Sequence, residues 1–135
     1  MDGFHAAAAR ADARAYLAHL APGAVFLGTD GSERWQGEEY RSFVESSFAN
    51  GSGWTYSSLA RSIEVSPDGR IAWFDEALGN EVLGNCRGSG VLVLSEDQWK
   101  IAQYNLSVPV PNALMPAVVA DITAWQRGEV PVEAA

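Results

Sequence analysis

The sequence predicts one α+β domain in which N-terminal helices cover one face of a curved antiparallel sheet. Three observations lead to it. The 135 residues, 47% of them apolar, are enough for a single continuous core. The spacing of apolar positions is helical at the start and changes to a period of two from Trp54 onward, over four long segments. Residues 70–78 carry Ile71 and Trp73 on one face and Ala72, Phe74 and Leu78 on the other, a pattern of burial on both sides of the sheet.

Residues 2–20 are rich in alanine, the best helix former, and Phe4, Ala8, Ala11 and Ala15 follow helical spacing. The Asp12 carboxylate is placed to accept free backbone N–H groups, which predicts two helices or one bent helix, ended by Pro22-Gly23. Residues 24–29 read as a short strand, and Asp30-Gly31-Ser32 turns it into a second extended piece through Trp35. Gly37-Glu38-Glu39 opens the next helix with acidic residues at its positive end. Tyr40, Phe43, Val44 and Phe48 form its apolar stripe, and Asn50-Gly51 closes it.

Strands follow at 54–65 and 70–78 around the turn Ser66-Pro67-Asp68-Gly69, then at 86–94 and 98–108 around Ser95-Glu96-Asp97. In the first of these the inward parity shifts from Trp54 and Tyr56 to Leu59, Ile63 and Val65, which predicts a β-bulge at Ser57-Ser58. Pro109, Pro111 and Pro116 break the sheet. Val118, Val119, Ile122 and Trp125 then predict a terminal helix.

Nine basic against seventeen acidic residues give a net charge of −8, which repels phosphate backbones and anionic lipid headgroups. The expectation is therefore no nucleic-acid partner and no membrane partner. One cysteine, Cys86, permits no internal disulfide and no thiolate zinc cluster, and His19 lacks a second histidine at metal-ligand spacing, so no metal is expected. The first residues lack the basic start and apolar run of a signal peptide, and no run approaches a membrane span, so a cytoplasmic location is expected.

Several stretches together resemble the SnoaL-like branch of the nuclear transport factor 2-like superfamily over nearly the whole chain. They are Phe26-Leu27-Gly28-Thr29-Asp30 with Glu33-Arg34-Trp35, Ala72-Trp73-Phe74-Asp75-Glu76, Cys86-Arg87-Gly88-Ser89-Gly90, and Trp99-Lys100-Ile101-Ala102-Gln103-Tyr104 leading to Ser107 and Pro109. The resemblance implies a cystatin-like cone with a pocket between the curved sheet and the first helices. It implies that Trp73 and Asp75 point inward, with Gly88, Gly90 and Leu92 and then Ala102, Tyr104 and Leu106, while Gln103, Asn105 and Ser107 face out. Two departures stand out. Gly28 and Gly90 occupy the positions of the acids of ketosteroid isomerases, and Gln103 and Asn105 stand in a stretch where many relatives carry histidine.

Within that frame Asp75 is the candidate base, since a carboxylate desolvated between Trp73 and Ala77 rises into the range useful for proton transfer, although Arg34 or Arg87 would make it a structural acid. Tyr104 and His5 are its candidate catalytic partners, as a hydrogen-bond donor to a substrate oxygen and as an acid-base group. Trp35, Trp54, Trp73, Leu92 and Leu106 are candidate apolar walls, and Asp30 with Glu33-Arg34 candidates for the pocket mouth, against a reading of Asp30 as turn chemistry and of Glu33-Arg34 as a local ion network. Gly88 and Gly90 let a neighbouring ring or backbone approach, and Cys86, with no activating base, reads as an inert thiol.

Three functions compete. The first is a binding protein for a small apolar or aromatic organic ligand. The second is a cofactor-independent isomerase, cyclase, dehydratase or hydrolase using Asp75. The third is an assembly module without a ligand. No phosphate-cradling, dinucleotide or Ser-His-Asp motif points to a cofactor or a sharper chemistry. Because one set of helices covers one sheet face only, the other face, with Phe74, Leu78, Gln103, Asn105 and Ser107, is expected to pair two copies in a homodimer.

Overall fold

The computed structural model describes residues 1–129. The alanine-rich start forms α1 (Asp2–Ala9) and α2 (Ala13–Leu17), separated at Ala11, whose φ is +55°. Asp12 caps α2 by accepting the Ala15 N–H at 3.0 Å, so the break falls where the sequence places it. Next come β1 (Leu20–Leu27), β2 (Arg34–Gln36), α3 (Glu38–Phe48), β3 (Ser57–Val65), β4 (Ile71–Asn80), β5 (Gly84–Ser95) and β6 (Gln98–Ser107). A 3₁₀ turn (Asn112–Leu114) leads into α4 (Met115–Gln126). Pro22-Gly23 does not end a helix; it lies inside β1, where the register against β6 shifts between Leu20 and Val25 and Gly23 takes φ +71°.

The six strands form one curved, unclosed sheet in the order β2-β1-β6-β5-β4-β3, and β1 runs parallel to β6 while the other pairs are antiparallel. The β5–β6 turn sets Glu96 and Asp97 at φ +50° and +63°, the conformation that matches a two-residue hairpin to strand twist. Two irregularities decide which side chains face the helices. In β3, Ser58 pairs with Leu78 but Ala60 with Ala77, so the bulge falls at Leu59 and brings Arg61 opposite Glu76. In β6, Ile101 pairs with Leu92 but Gln103 with Val91, leaving Ala102 as the extra residue. Ile101, Tyr104 and Leu106 are consequently the buried residues of β6, and Ile101 takes the inward place expected of Ala102.

The expected parity of β4 is reversed. Ala72, Phe74, Glu76 and Leu78 are buried, whereas Ile71, Trp73, Asp75 and Ala77 are exposed, Trp73 to 49%. Register supplies the reason. Phe74 pairs with Gly90 and Glu76 with Gly88, and a Cβ on Gly88 would overlap the Tyr104 hydroxyl, while one on Gly90 would overlap the Gln103 carbonyl. The bulky inner face thus depends on both glycines, and Trp73 and Asp75 pair with Val91 and Ser89 on the outer face. Phe74 and Leu78, expected to mediate a dimer, are core residues. β3 is one of the two edge strands, and its Leu59, Ile63 and Val65, expected inside, stay at least half exposed.

The core packs Phe4, Tyr16, Tyr40, Val44 and Phe48 from the helices onto Phe74, Leu78, Ile101 and Tyr104 from the sheet. Each such apolar side chain contributes about 1.5–3 kcal/mol on burial. No residue of α4 is buried, and Leu114, Met115, Val119, Ile122 and Trp125 are all exposed. No described helix is long and apolar enough to cross a membrane.

Candidate functional site

Between the helices and the inner sheet face lies a cavity of about 200 Å³. Phe4, His5 and Ala8 from α1 and Tyr16 from α2 line one wall. Phe26, Gly28, Thr29, Glu33 and Trp35 come from the β1–β2 hairpin, and Phe43 from α3. Trp54, Tyr56 and Leu83 come from connecting segments, Tyr104 and Leu106 from β6. Trp35, Phe43 and Trp54 form one stack, with centroids 4.5 and 5.9 Å apart. Phe26 lies between Tyr40 and Tyr104 at 4.6 and 5.3 Å. Such stacking rigidifies the wall and holds its shape against collapse.

Behind this wall sits a polar centre. Glu76 is 1% exposed, and its Oε1 accepts from the Tyr104 hydroxyl at 3.0 Å and contacts His5 Nε2 at 2.7 Å. Its Oε2 accepts from Arg61 Nε at 3.0 Å and Nη2 at 2.8 Å. Arg61 also donates to Asp2 at 2.8 Å. Burial pushes the Glu76 carboxyl up, but the hydrogen bonds and charges of His5, Arg61 and Tyr104 outweigh it and hold the group below its ordinary value. An ionised carboxylate has only acceptors, so His5 must place its proton on Nε2. No described residue bonds His5 Nδ1, and no buried polar atom lacks a partner among the described residues, so Nδ1 meets accessible space.

Tyr104 is a buried phenol raised far above its ordinary pKa, first by burial and then by the Glu76 charge. Its proton is donated to Glu76, so it does not serve as the free donor to a substrate oxygen that the sequence suggests. Tyr16 and Tyr40 share a second buried contact, hydroxyl to hydroxyl at 2.6 Å, and burial raises both.

The structure brings together His5, Tyr104, Trp35, Trp54 and Leu106 around the cavity. It separates Asp75 and Trp73, which face outward because of the β4 register. Leu92 packs half-buried against the core rather than on the cavity wall. Asp30 is exposed and accepts from the Ser32 N–H and hydroxyl within its own turn, which lowers its pKa. Cys86 is buried, and burial pushes its thiol up.

Glu76 and Arg61 are the functional candidates that the sequence reading does not select, whereas Glu33, expected at the pocket mouth, does line the cavity. Glu76 has one legible signal: it is the single acid in the even-numbered series Ala72, Phe74, Leu78. Glu33 lies across the hairpin from Gly28, and a Cβ on Gly28 would sit 2.8 Å from the Glu33 carboxylate, so the glycine makes the space that admits it.

The family model described as a SnoaL-like domain matches residues 1–111, ending before the 3₁₀ turn. No curated protein matches the sequence. Among solved structures, the chain resembles an NTF2-like protein of unknown function from Pseudomonas putida KT2440, with 13% identity, a TM-score of 0.68 and coverage of 82% of each chain. It also resembles a candidate dehydratase of the NTF2-like family from Streptomyces avermitilis, at 14% identity and TM-score 0.69 over 82% of this chain and 91% of that one. A candidate ketosteroid isomerase from Parabacteroides distasonis matches at 18% identity and TM-score 0.63, over 78% of this chain and 82% of that one. At these identities the likeness is one of fold.

Proposed function

The chain belongs to the SnoaL-like domain family, and from that premise we propose that its cone binds a small, largely apolar organic molecule and moves a proton on it. One observation carries the reading: a histidine on the cavity wall whose far nitrogen is fixed by a fully buried, fully hydrogen-bonded carboxylate. In this reading His5 is the catalytic residue and Glu76 a positioning residue, because both Glu76 oxygens are already occupied and its side chain has no exposed surface. His5 Nδ1 takes a proton from a ligand C–H or O–H. The Glu76 carboxylate stabilises the imidazolium that forms; return of the proton to another carbon completes an isomerisation, and its delivery to a hydroxyl group leaving as water, as the C–O bond breaks, completes an elimination. Asp75 has no part in it.

The test is solvent exchange. A panel of ring ketones with acidic C–H bonds, incubated in D₂O, should show deuterium incorporation by proton NMR with the wild-type protein and background incorporation with His5→Gln. Background exchange by the wild type, or equal exchange by His5→Gln, would contradict the acid-base reading.

A second copy of the chain is the proposed partner. The outer sheet face exposes Ile71 and Trp73, with half-buried Val91 on the neighbouring strand. Pro109 and Pro111 follow β6 and lead to α4, a helix whose apolar residues are exposed. A two-fold contact buries both surfaces in each copy at once. Light scattering should give about twice the 14.5 kDa chain mass, and Trp73→Glu should shift it to the monomer without loss of helix signal. A wild-type monomer at micromolar concentration contradicts this assembly.

A further inference from the structure

Charge on the cavity wall narrows the ligand class. Among the described residues no lysine or arginine lines the cavity; the ionisable groups that do are His5, three tyrosines and Glu33. His5 is turned onto Glu76, and the tyrosine hydroxyls of residues 16 and 104 are engaged within the protein. A carboxylate or phosphate ligand would therefore enter an acidic protein of net charge −8 and find no lysine or arginine of the described residues to receive it.

Glu33 is the opposite case. Its Oε1 accepts the Asp30 N–H at 2.9 Å, and Oε2 has no partner among the described residues. No ion pair of the described residues includes it, and the adjacent Arg34 turns to Gln36 at 3.4 Å. Glu33 and Trp35, two residues apart across the start of β2, both line the cavity. A half-buried carboxylate beside an indole, above a stacked aromatic wall, suits a positive head joined to an apolar ring. The hairpin is built to hold it there. Gly28 donates its N–H to the Glu33 carbonyl at 2.9 Å, and its missing side chain leaves the space that the Glu33 carboxylate fills.

We propose that the cavity selects a small amine whose ammonium head is joined to an apolar ring, with the ammonium group at Glu33 and the ring against Trp35 and Phe43. The inference rests on the cavity being a ligand site, and adds the charge that the ligand carries. A cationic head at Glu33 keeps the ring within the cavity that His5 also lines. It also explains a feature that an apolar ligand leaves without a role, a carboxylate held on an aromatic wall without a counter-charge among the described residues.

Three probes of one size separate charge from shape: benzylammonium, benzyl alcohol and benzoate, titrated calorimetrically into the full chain at low salt. The expected order is benzylammonium about tenfold tighter than benzyl alcohol, with benzoate weakest, the gap shrinking as salt is added. Glu33→Gln keeps an acceptor for the Asp30 N–H and removes the charge, so it should bring benzylammonium and benzyl alcohol to within about twofold. Its circular dichroism should match the wild type. Equal binding of amine and alcohol by the wild type would overturn the charge selection while leaving the cavity a ligand site. A preference for benzoate, or an amine preference that survives in Glu33→Gln, would also overturn it. Binding of none of the three overturns it as well, and the deuterium exchange then decides separately whether the acid-base centre stands.

Discussion

Replacing Glu76 by glutamine perturbs the polar centre with the smallest change of shape. The side chain has no exposed surface and accepts from Tyr104 and His5 on one oxygen and twice from Arg61 on the other. Glutamine keeps one acceptor oxygen but turns an NH₂ group toward partners that are themselves donors, and it leaves the Arg61 guanidinium without its buried counter-charge. Removing one partner of a buried pair costs about 3–5 kcal/mol. Arg61 keeps its contact with Asp2 at 2.8 Å, and one Glu76 oxygen survives, so the low end applies, about 3 kcal/mol. For a domain of this length that corresponds to a fall in Tm of roughly 10 °C. Asp75→Asn, one residue away on the exposed face, should change stability by less than about 0.5 kcal/mol. Thermal and urea unfolding followed by circular dichroism measure both variants. Equal small shifts, or the larger shift in Asp75→Asn, would refute the β4 orientation on which the site depends.

The same centre predicts an acid limb of stability. The folded pKa of Glu76 lies below its ordinary value, so its contribution is fully present above about pH 4.3 and is lost as pH falls through the depressed folded value. Urea midpoints from pH 7 to pH 3 should therefore fall more steeply for the wild type than for Glu76→Gln; parallel curves would show that the carboxylate is not held ionised by its partners. Gly88→Ala places a methyl group onto the Tyr104 hydroxyl and 3.2 Å from Glu76 Cγ, so about 1–3 kcal/mol of destabilisation is expected in urea unfolding. An unchanged midpoint would mean that β5 does not approach β6 as closely as the register requires.

Element types and their order were readable because each segment carries its own period and punctuation: the Asp12 cap, the Asp30-Gly31-Ser32 turn, and the two-residue period from the sheet strands. The inward face of β4 was not readable from period alone. Ile71 and Trp73 are as apolar as Ala72 and Phe74, so alternation gives no preference between the faces, and the inward place of Trp73 and Asp75 rests on the family resemblance alone. What decides is the pairing of Phe74 and Glu76 with glycines on β5, a fact of register between strands. The site partners are also remote in sequence: His5 lies 71 residues from Glu76, Tyr104 28 and Arg61 15. No local spacing encodes such a cluster. His5 and Tyr104 were selectable because their chemistry is unusual in their segments, whereas Glu76 and Arg61 resemble ordinary surface residues of a strand. Ala102 was misplaced for a related reason, since a single extra residue in β6 inverts parity without any mark in composition.

The central claim is that Glu76 fixes the His5 ring with Nε2 toward the carboxylate and Nδ1 toward the cavity. Two-dimensional ¹⁵N NMR of the neutral His5 ring, recorded on the wild type and on Glu76→Gln, tests it most directly. The account predicts that in the wild type Nε2 carries the proton and Nδ1 the lone pair, and that this assignment loosens into mixed tautomers in Glu76→Gln. An Nδ1–H tautomer in the wild type, or the same tautomer distribution in both proteins, would contradict it.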